Sequence, residues 1–319
     1  MEEILKVEDL KSYYRSNNVV VKAVDGVSFD VKKNEIVGIV GESGCGKSTL
    51  ALSTLGMARP PCYIEGGKVH FNGVDLLSLD SESQRKIRLT GISYIPQSSM
   101  NALNPTMRVE DQILDGAKAH QKMTSDEAKA MVQTQLEMVG LPATTAKMYP
   151  HELSGGMKQR AIIAVATALR PQLLIADEPT TALDVVVQRL VLEFLQETQK
   201  KWENSIILVT HDIAVQAEIV DRLIVMYGGR LLEISDIKHV FEDPLHPYTK
   251  SLIDATPSLD TKKPFISIPG LPPSLINPPP GCRFKERCPK SKEKCGGAEP
   301  GLREVEPGRF VACNQYGDA

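Results

Sequence analysis

The run Gly41-Glu42-Ser43-Gly44-Cys45-Gly46-Lys47-Ser48-Thr49 has the residue types and spacing to hold a polyphosphate. It fits G-x-x-x-x-G-K-[ST], in which glycines let the backbone wrap an anion so that N–H groups and a helix N-terminus face the negative charge. Lys47 is then expected to reach the β and γ phosphates, and the Ser48 hydroxyl to hold Mg²⁺. A second segment, Leu173-Leu174-Ile175-Ala176-Asp177-Glu178, reads as an apolar strand ending in two carboxylates, placed where a parallel sheet presents ligands. Asp177 suits the Mg²⁺ shell, and Glu178 suits a base that polarises an attacking water. A third, Leu153-Ser154-Gly155-Gly156-Met157-Lys158-Gln159-Arg160, opens a long helix with a serine and two glycines, another N-terminus suited to phosphate. Together the three predict binding and hydrolysis of ATP.

The elements that must position these groups can be read from periodicity. From Ile4 to Val31 short β-rich runs alternate with turn residues, which predicts antiparallel strands. Ile36 to Val40 is a continuous apolar strand, followed by the Gly-rich turn and a helical stretch from Ser48 to Leu55. Further apolar strands are predicted at Leu173 to Ala176, Ile206 to Val209 and Leu223 to Met226, with helical stretches such as Val185 to Lys200 between them. That alternation implies a mostly parallel sheet covered by helices. Between Val109 and Leu169 helix-forming residues dominate and read as a helical insertion. After about Pro244 the chain turns Pro-rich, at Pro264, Pro269, Pro272, Pro273, Pro278, Pro279 and Pro280, and ends in a cysteine-bearing tail.

Composition narrows the classes further. With 42% apolar and 24% charged residues the 319-residue chain is ordinary globular material, and a net charge of −3 gives no global basic field for nucleic acid. The start, Met1-Glu2-Glu3-Ile4-Leu5-Lys6, lacks the apolar core of a secretory signal, so a cytoplasmic location is expected. The most apolar stretch, Ala161 to Leu169, is far shorter than the ~20 residues of a membrane-spanning helix. Membrane association is therefore expected through partners. Four of the six cysteines, Cys282, Cys288, Cys295 and Cys313, crowd the tail with spacing C-x5-C-x6-C-x17-C. In a reducing compartment such thiols are metal or cluster ligands more often than disulfides, and the spacing alone leaves zinc and iron–sulfur both open.

The phosphate loop, Gln97, Ser154-Gly155-Gly156, Asp177-Glu178, Thr181-Ala182-Leu183-Asp184 and His211 follow one another in the order of a single family. On these six motifs the chain from Met1 to about Glu233 resembles the nucleotide-binding subunit of an ATP-binding cassette (ABC) transporter. The resemblance implies an α/β P-loop ABC-type nucleotide-binding domain over 1–243, with a parallel sheet core, an antiparallel β subdomain and an inserted helical subdomain over about 98–170. It implies that Tyr14 stacks on adenine and that Gly41, Ser43, Gly44, Cys45, Gly46, Lys47, Ser48 and Thr49 enclose the phosphates. Gln97 joins Ser48 and Asp177 around Mg²⁺ and couples the γ-phosphate to a transmembrane subunit, while His211 contacts the γ-phosphate and attacking water. Ser154, Gly155 and Gly156 touch ATP held by the opposite subunit of a head-to-tail dimer, whether that partner is a paralogue or a second copy. Met157 stands where glutamine is commoner in the family.

The tail refines the resemblance. His246-Pro247-Tyr248-Thr249-Lys250, Ile268-Pro269-Gly270-Leu271-Pro272-Pro273 and Pro280-Gly281-Cys282-Arg283-Phe284 look like the C-terminal extension of dipeptide and oligopeptide importer ATPases. The implied assembly has two cassette chains, two transmembrane permeases docking at Gln97 and Ser98 to Val109, and an extracellular solute-binding protein acting indirectly, at the cytoplasmic face of the membrane. Nickel importers and some sugar importers share related extensions. The resemblance implies a 4Fe-4S cluster on Cys282, Cys288, Cys295 and Cys313, with zinc as the alternative, in a small separate domain over 244–319. Because the Pro-rich connector separates this site in sequence from Lys47 and Glu178, its role is expected to be structural. A soluble cassette ATPase of DNA repair would carry sustained heptads between loop and signature; about a hundred residues separate Lys47 from Ser154 here, without heptads. A translation cassette would carry two modules. The basic residues around the tail cysteines, Arg283, Lys285, Arg287, Lys290, Lys292 and Lys294, read as a solvated run or as a counterweight to thiolates, and nucleic acid is not the expected partner.

Overall fold

The computed structural model describes residues 2–97, 102–181, 183–256 and 268–317. Ser98 to Asn101 of the expected permease-docking segment, Ala182 of the Thr181-Ala182-Leu183-Asp184 motif and Pro264 of the connector lie outside the described residues. In chain order the elements are β1 (Glu3–Ser16), β2 (Val19–Lys32), β3 (Ile36–Val40), α1 (Lys47–Thr54), β4 (Cys62–Phe71), β5 (Val74–Asp75), α2 (Ser81–Ile87), β6 (Ile92–Ile95), α3 (Val109–Lys118), α4 (Ser125–Met138), α5 (Gly155–Thr167), β7 (Leu173–Asp177), α6 (Val185–Trp202), β8 (Ser205–Val209), α7 (Ile213–Ile219), β9 (Arg222–Tyr227), β10 (Arg230–Asp236), α8 (Ile237–Glu242), α9 (Pro247–Asp254), β11 (Arg303–Glu306) and β12 (Arg309–Val311). They fall into two compact units, Ser78–Leu208 and Glu2–Leu77 with Val209–Ala319.

In the unit built from both ends of the chain, β3 is apolar and buried at every position, as a strand covered on both faces must be. It pairs in parallel with β9, Val37 opposite Arg222 and Val40 opposite Val225. β10 returns antiparallel along β9. A separate antiparallel sheet in the order β2-β1-β4-β5 matches the early antiparallel reading and adds β4, a strand the turn pattern had not separated.

The tail does not stand apart as a small cysteine-rich domain. β12 pairs antiparallel with β10, Val311 opposite Glu233, and β11 pairs with β12, so the chain end extends the sheet edge that begins at β9. Tyr227 of β9, Tyr248 of α9 and Phe284 of the tail are all fully buried, with ring centroids 4.6 to 5.4 Å apart. Each such side chain contributes about 1.5–3 kcal/mol by leaving water, and each well-placed ring pair about 0.5–1.5 kcal/mol more. A tail too poor in apolar residues to build a core borrows one from the sheet.

The other unit carries α3, α4 and α5 in the span read as helix-rich from the sequence. In α4 the buried residues Ala128, Val132, Gln135 and Leu136 recur at helical spacing, and Thr124 with Glu127 closes a reciprocal capping box at its start. α6 turns Val191, Leu192, Phe194, Leu195 and Thr198 inward. β6 and β7 pair in parallel, Ile92 opposite Leu173 and Ile95 opposite Ala176, and β7 is buried throughout. No helix among the described residues is long and apolar enough to cross a membrane.

Candidate functional site

The phosphate loop hangs between β3 and α1, as its strand-loop-helix setting requires. At Gly41 a Cβ would lie 2.1 Å from the Met226 carbonyl oxygen, so the loop's first turn runs against the backbone of β9. At Gly46 φ is +108° and a Cβ would lie 2.0 Å from the Ala23 carbonyl oxygen, so both conformation and space demand glycine. Lys47 is buried, and its Nζ donates to the Gly41 carbonyl at 2.7 Å and the Glu42 carbonyl at 3.1 Å. The ammonium is thereby centred in the loop, at the start of α1 where the first N–H groups point outward. Cys45 is buried with its thiol pushed up by desolvation, a small packing residue and a poor nucleophile. Tyr14 of β1 lies at this loop-helix junction: its hydroxyl is 3.0 Å from that of Thr49. His211 follows β8 on the surface, in a turn where the Asp212 N–H donates to the Thr210 hydroxyl and Asp212 caps α7.

In the unit Ser78–Leu208, β7 delivers Asp177 at no exposure and Glu178 at 7%. The Tyr94 hydroxyl of β6 donates to Asp177 Oδ2 at 3.0 Å, and burial first, then the Asp177 charge, pushes the Tyr94 pKa far up, so the phenol stays a donor. Glu178 adopts the left-handed backbone, φ 47°, costing about 1 kcal/mol, and Thr181 Oγ1 donates to its Oε2 at 2.7 Å. The strain turns a buried carboxylate off the strand end just where the chain reverses. Ser154 is exposed at the N-cap of α5, its Oγ accepting from the Met157 N–H at 3.3 Å, with Gly155 and Gly156 forming the first helical turn. The Gln159 side chain donates to the Pro179 carbonyl at 2.6 Å, tying this helix to the segment after Glu178. Gln97 is exposed just past β6.

Sequence reasoning missed Tyr94, Glu42, Tyr248 and Arg287. Each acts through a contact between distant positions, which no local pattern signals. The His246-Pro247-Tyr248 run acquires a physical meaning: neutral, fully buried His246 caps α9 by accepting the Tyr248 N–H on Nδ1 at 3.0 Å, burial pushing its pKa down to about 3. Pro247 occupies the first turn, and the Tyr248 hydroxyl accepts the Glu42 N–H of the phosphate loop at 3.0 Å.

All four tail cysteines are reduced thiols; Cys282, Cys295 and Cys313 are buried and Cys288 is half-buried. The Cys282 N–H donates to the Cys295 carbonyl at 2.9 Å, and the Cys282 thiol is pushed up to about 11 by burial and by the neighbouring Cys313, Cys295 and Cys288. The four are thus near neighbours. Among the described residues, however, no three or more His, Cys, Asp or Glu side chains are gathered as ligands to a metal ion. The expected remoteness of this tail also fails: Arg287, next to Cys288, meets Glu42 with two hydrogen bonds of 2.8 and 2.9 Å. Separation along a Pro-rich connector had said nothing about distance in space.

A buried strand feeding a Gly-Lys-Ser phosphate loop, a strand ending in Asp-Glu and a helix capped by Ser-Gly-Gly define an ATPase of the ATP-binding cassette class. The ABC transporter family model matches residues 24–181, and the model for the oligopeptide/dipeptide transporter C-terminal region matches residues 232–295. The chain is 44% identical to the dipeptide transport ATP-binding protein DppD of Bacillus subtilis, over 98% of this chain and 95% of that one. It is 42% identical to the oligopeptide transport ATP-binding protein OppD of Escherichia coli, over 98% and 93%. The dimeric structure of MJ0796, a bacterial ABC transporter cassette, superposes with a TM-score of 0.67 at 26% identity, over 73% of this chain and 98% of that one. The chain belongs to the family of ATP-binding subunits of dipeptide and oligopeptide ABC transporters.

Proposed function

We propose that this chain binds and hydrolyses ATP to power import of short peptides, working as a peripheral subunit at the cytoplasmic face of a membrane transporter. One observation carries this reading: relatives named for dipeptide and oligopeptide transport match both the phosphate loop and the extension, across 98% of the chain. The loop N–H groups and Lys47 bind the phosphates, and Tyr14 offers its ring to the adenine from beside Thr49. Ser48, Gln97 and Asp177 offer oxygen donors of the kind Mg²⁺ takes, and the ion supplies charge neutralisation at the phosphates. Tyr94 holds one Asp177 oxygen by a hydrogen bond. Glu178, fixed by its backbone turn and by Thr181, polarises the attacking water, which His211 orients toward the γ-phosphate. Ser154, Gly155 and Gly156, on an exposed helix start, complete the site of a facing cassette in a head-to-tail dimer. Binding closes the dimer and hydrolysis resets it.

The assembly is a second cassette, a paralogue or another copy, with two permeases and an extracellular solute-binding protein. The test is reconstitution of the complete assembly in lipid vesicles with solute-binding protein outside and Mg-ATP inside. Di- to pentapeptides are expected to accumulate, and accumulation of Ni²⁺ with no peptide uptake would assign the chain to a different importer.

The tail is proposed to hold a 4Fe-4S cluster, with zinc as the alternative, on Cys282, Cys288, Cys295 and Cys313. Thiols are the donor type that either group takes, and a bound cation or cluster would relieve the burial that raises the Cys282 and Cys313 thiols and would supply a structural crosslink, although among the described residues the side chains are not gathered as ligands. Anaerobically purified protein is expected to be brown with about four irons per chain, and Cys288→Ser to lose the colour. A colourless preparation with one stoichiometric zinc would decide for the alternative.

A further inference from the structure

Glu42 is the one side chain of the phosphate loop that carries a negative charge, beside a site built for a polyanion. Three of its groups are engaged at once. Its N–H donates to the Tyr248 hydroxyl at 3.0 Å, its carbonyl accepts from Lys47 Nζ at 3.1 Å, and its carboxylate takes both terminal nitrogens of Arg287 at 2.8 and 2.9 Å. Arg287 is held in turn: its side chain is 6% exposed, its Nε donates to the Pro269 carbonyl at 2.8 Å, one terminal nitrogen to the Ile268 carbonyl at 3.2 Å, and the other to the Tyr227 hydroxyl at 3.1 Å. Two of the three partners of Glu42 thus come from the C-terminal extension.

We propose that the extension positions the phosphate loop, with Arg287 and Tyr248 as positioning residues that orient Glu42 and neutralise its charge so that the loop accepts a nucleotide's phosphates. A bidentate guanidinium–carboxylate pair fixes direction as well as charge, which a lysine in this place does only in part. The hydrogen bond that the Glu42 N–H donates to the Tyr248 hydroxyl sets the loop's first peptide, and the Glu42 carbonyl on that loop in turn receives Lys47. The inference deepens the functional reading above, and rests on it, by making nucleotide affinity depend on a segment outside the cassette core. It gives the His-Pro-Tyr run and the Arg before Cys288 a shared task that neither sequence pattern nor the cassette fold alone supplies.

The sign of a double substitution separates positioning from mere folding. Arg287→Gln leaves the Glu42 carboxylate uncompensated next to the bound phosphates, and Mg-ATP affinity of the full chain is expected to fall about tenfold, steepest at low salt. Adding Glu42→Gln to that variant removes the repelling charge and is expected to recover most of the affinity, and Arg287→Lys should lie between. The readout is equilibrium binding of a fluorescent ATP analogue and of Mg-ATP in competition, alongside thermal unfolding of each variant. Parent-like binding by Arg287→Gln overturns the proposal, and so does a double variant that binds no better than Arg287→Gln or whose recovery only tracks a recovered unfolding temperature, since an unpaired carboxylate at this poorly exposed site also weakens the fold. If Arg287→Gln fails to fold, Arg287→Lys with and without Glu42→Gln gives the same comparison. A parent chain that binds no Mg-ATP, or binds it equally well as Lys47→Ala, overturns the functional reading itself, an outcome distinct from the ratio among the Arg287 variants.

Discussion

Glu178→Gln is expected to bind Mg-ATP as tightly as the parent chain and to lose ATP turnover by about 10²–10⁴-fold, the usual worth of a positioned base. The amide matches the carboxylate in size and still accepts the hydrogen bond that Thr181 Oγ1 gives at 2.7 Å, so the turn at φ 47° has no new reason to rearrange. What disappears is the ability to polarise water and take its proton. Because binding persists while hydrolysis stops, the assembled variant should accumulate as an ATP-bound closed dimer, visible as an ATP-dependent shift in light scattering that the parent shows only transiently. Single-turnover hydrolysis at saturating Mg-ATP is the direct measurement. Parent-like turnover would remove Glu178 from the base role and leave the phosphate loop as the only assigned chemistry.

Gly155→Asp should produce a comparable loss by a different route. Gly155 begins α5 behind an exposed Ser154 cap, where the first N–H groups of the helix and its positive end face solvent within this chain. An aspartate here is harmless to the helix itself, since an acid in the first turn complements the dipole. Presented to the γ-phosphate of a facing chain, it sets one anion against another in a desolvated site, where like charges are strongly repelled. The isolated variant is therefore expected to bind Mg-ATP within about twofold of the parent, while turnover at the site receiving this helix falls at least ~10²-fold. An equal fall in binding by the isolated chain would show that the Ser-Gly-Gly turn acts on its own chain's nucleotide, and the composite site would be abandoned.

Much of this was legible because the chemistry is local. A phosphate loop is a single turn whose glycines, lysine and hydroxyl must be contiguous, and the strand before it must be apolar on both faces; both facts leave marks within twenty residues. The strands at Ile36–Val40, Leu173–Asp177, Ser205–Val209 and Arg222–Tyr227 and the helix at Val185–Trp202 were visible for the same reason. The tail was not. Its short strands, Arg303–Glu306 and Arg309–Val311, alternate too weakly to be read alone and exist because β10 offers an edge to pair with. Tyr94 was passed over because its meaning is a hydrogen bond to Asp177, 83 positions away.

The sequence by itself determined the class of reaction, and through a resemblance it proposed which residues hold phosphate and metal and that a second chain faces the Ser-Gly-Gly turn. Tertiary structure alone decided that the extension belongs to the same compact unit as the phosphate loop and that Arg287 and Tyr248 converge on Glu42, positions 245 and 206 residues apart. The physical reason is that motif chemistry is written in short-range covalent spacing. Charge neutralisation across such separations is written only where packing, here the buried rings of Tyr227, Tyr248 and Phe284, brings the two ends of the chain to one place.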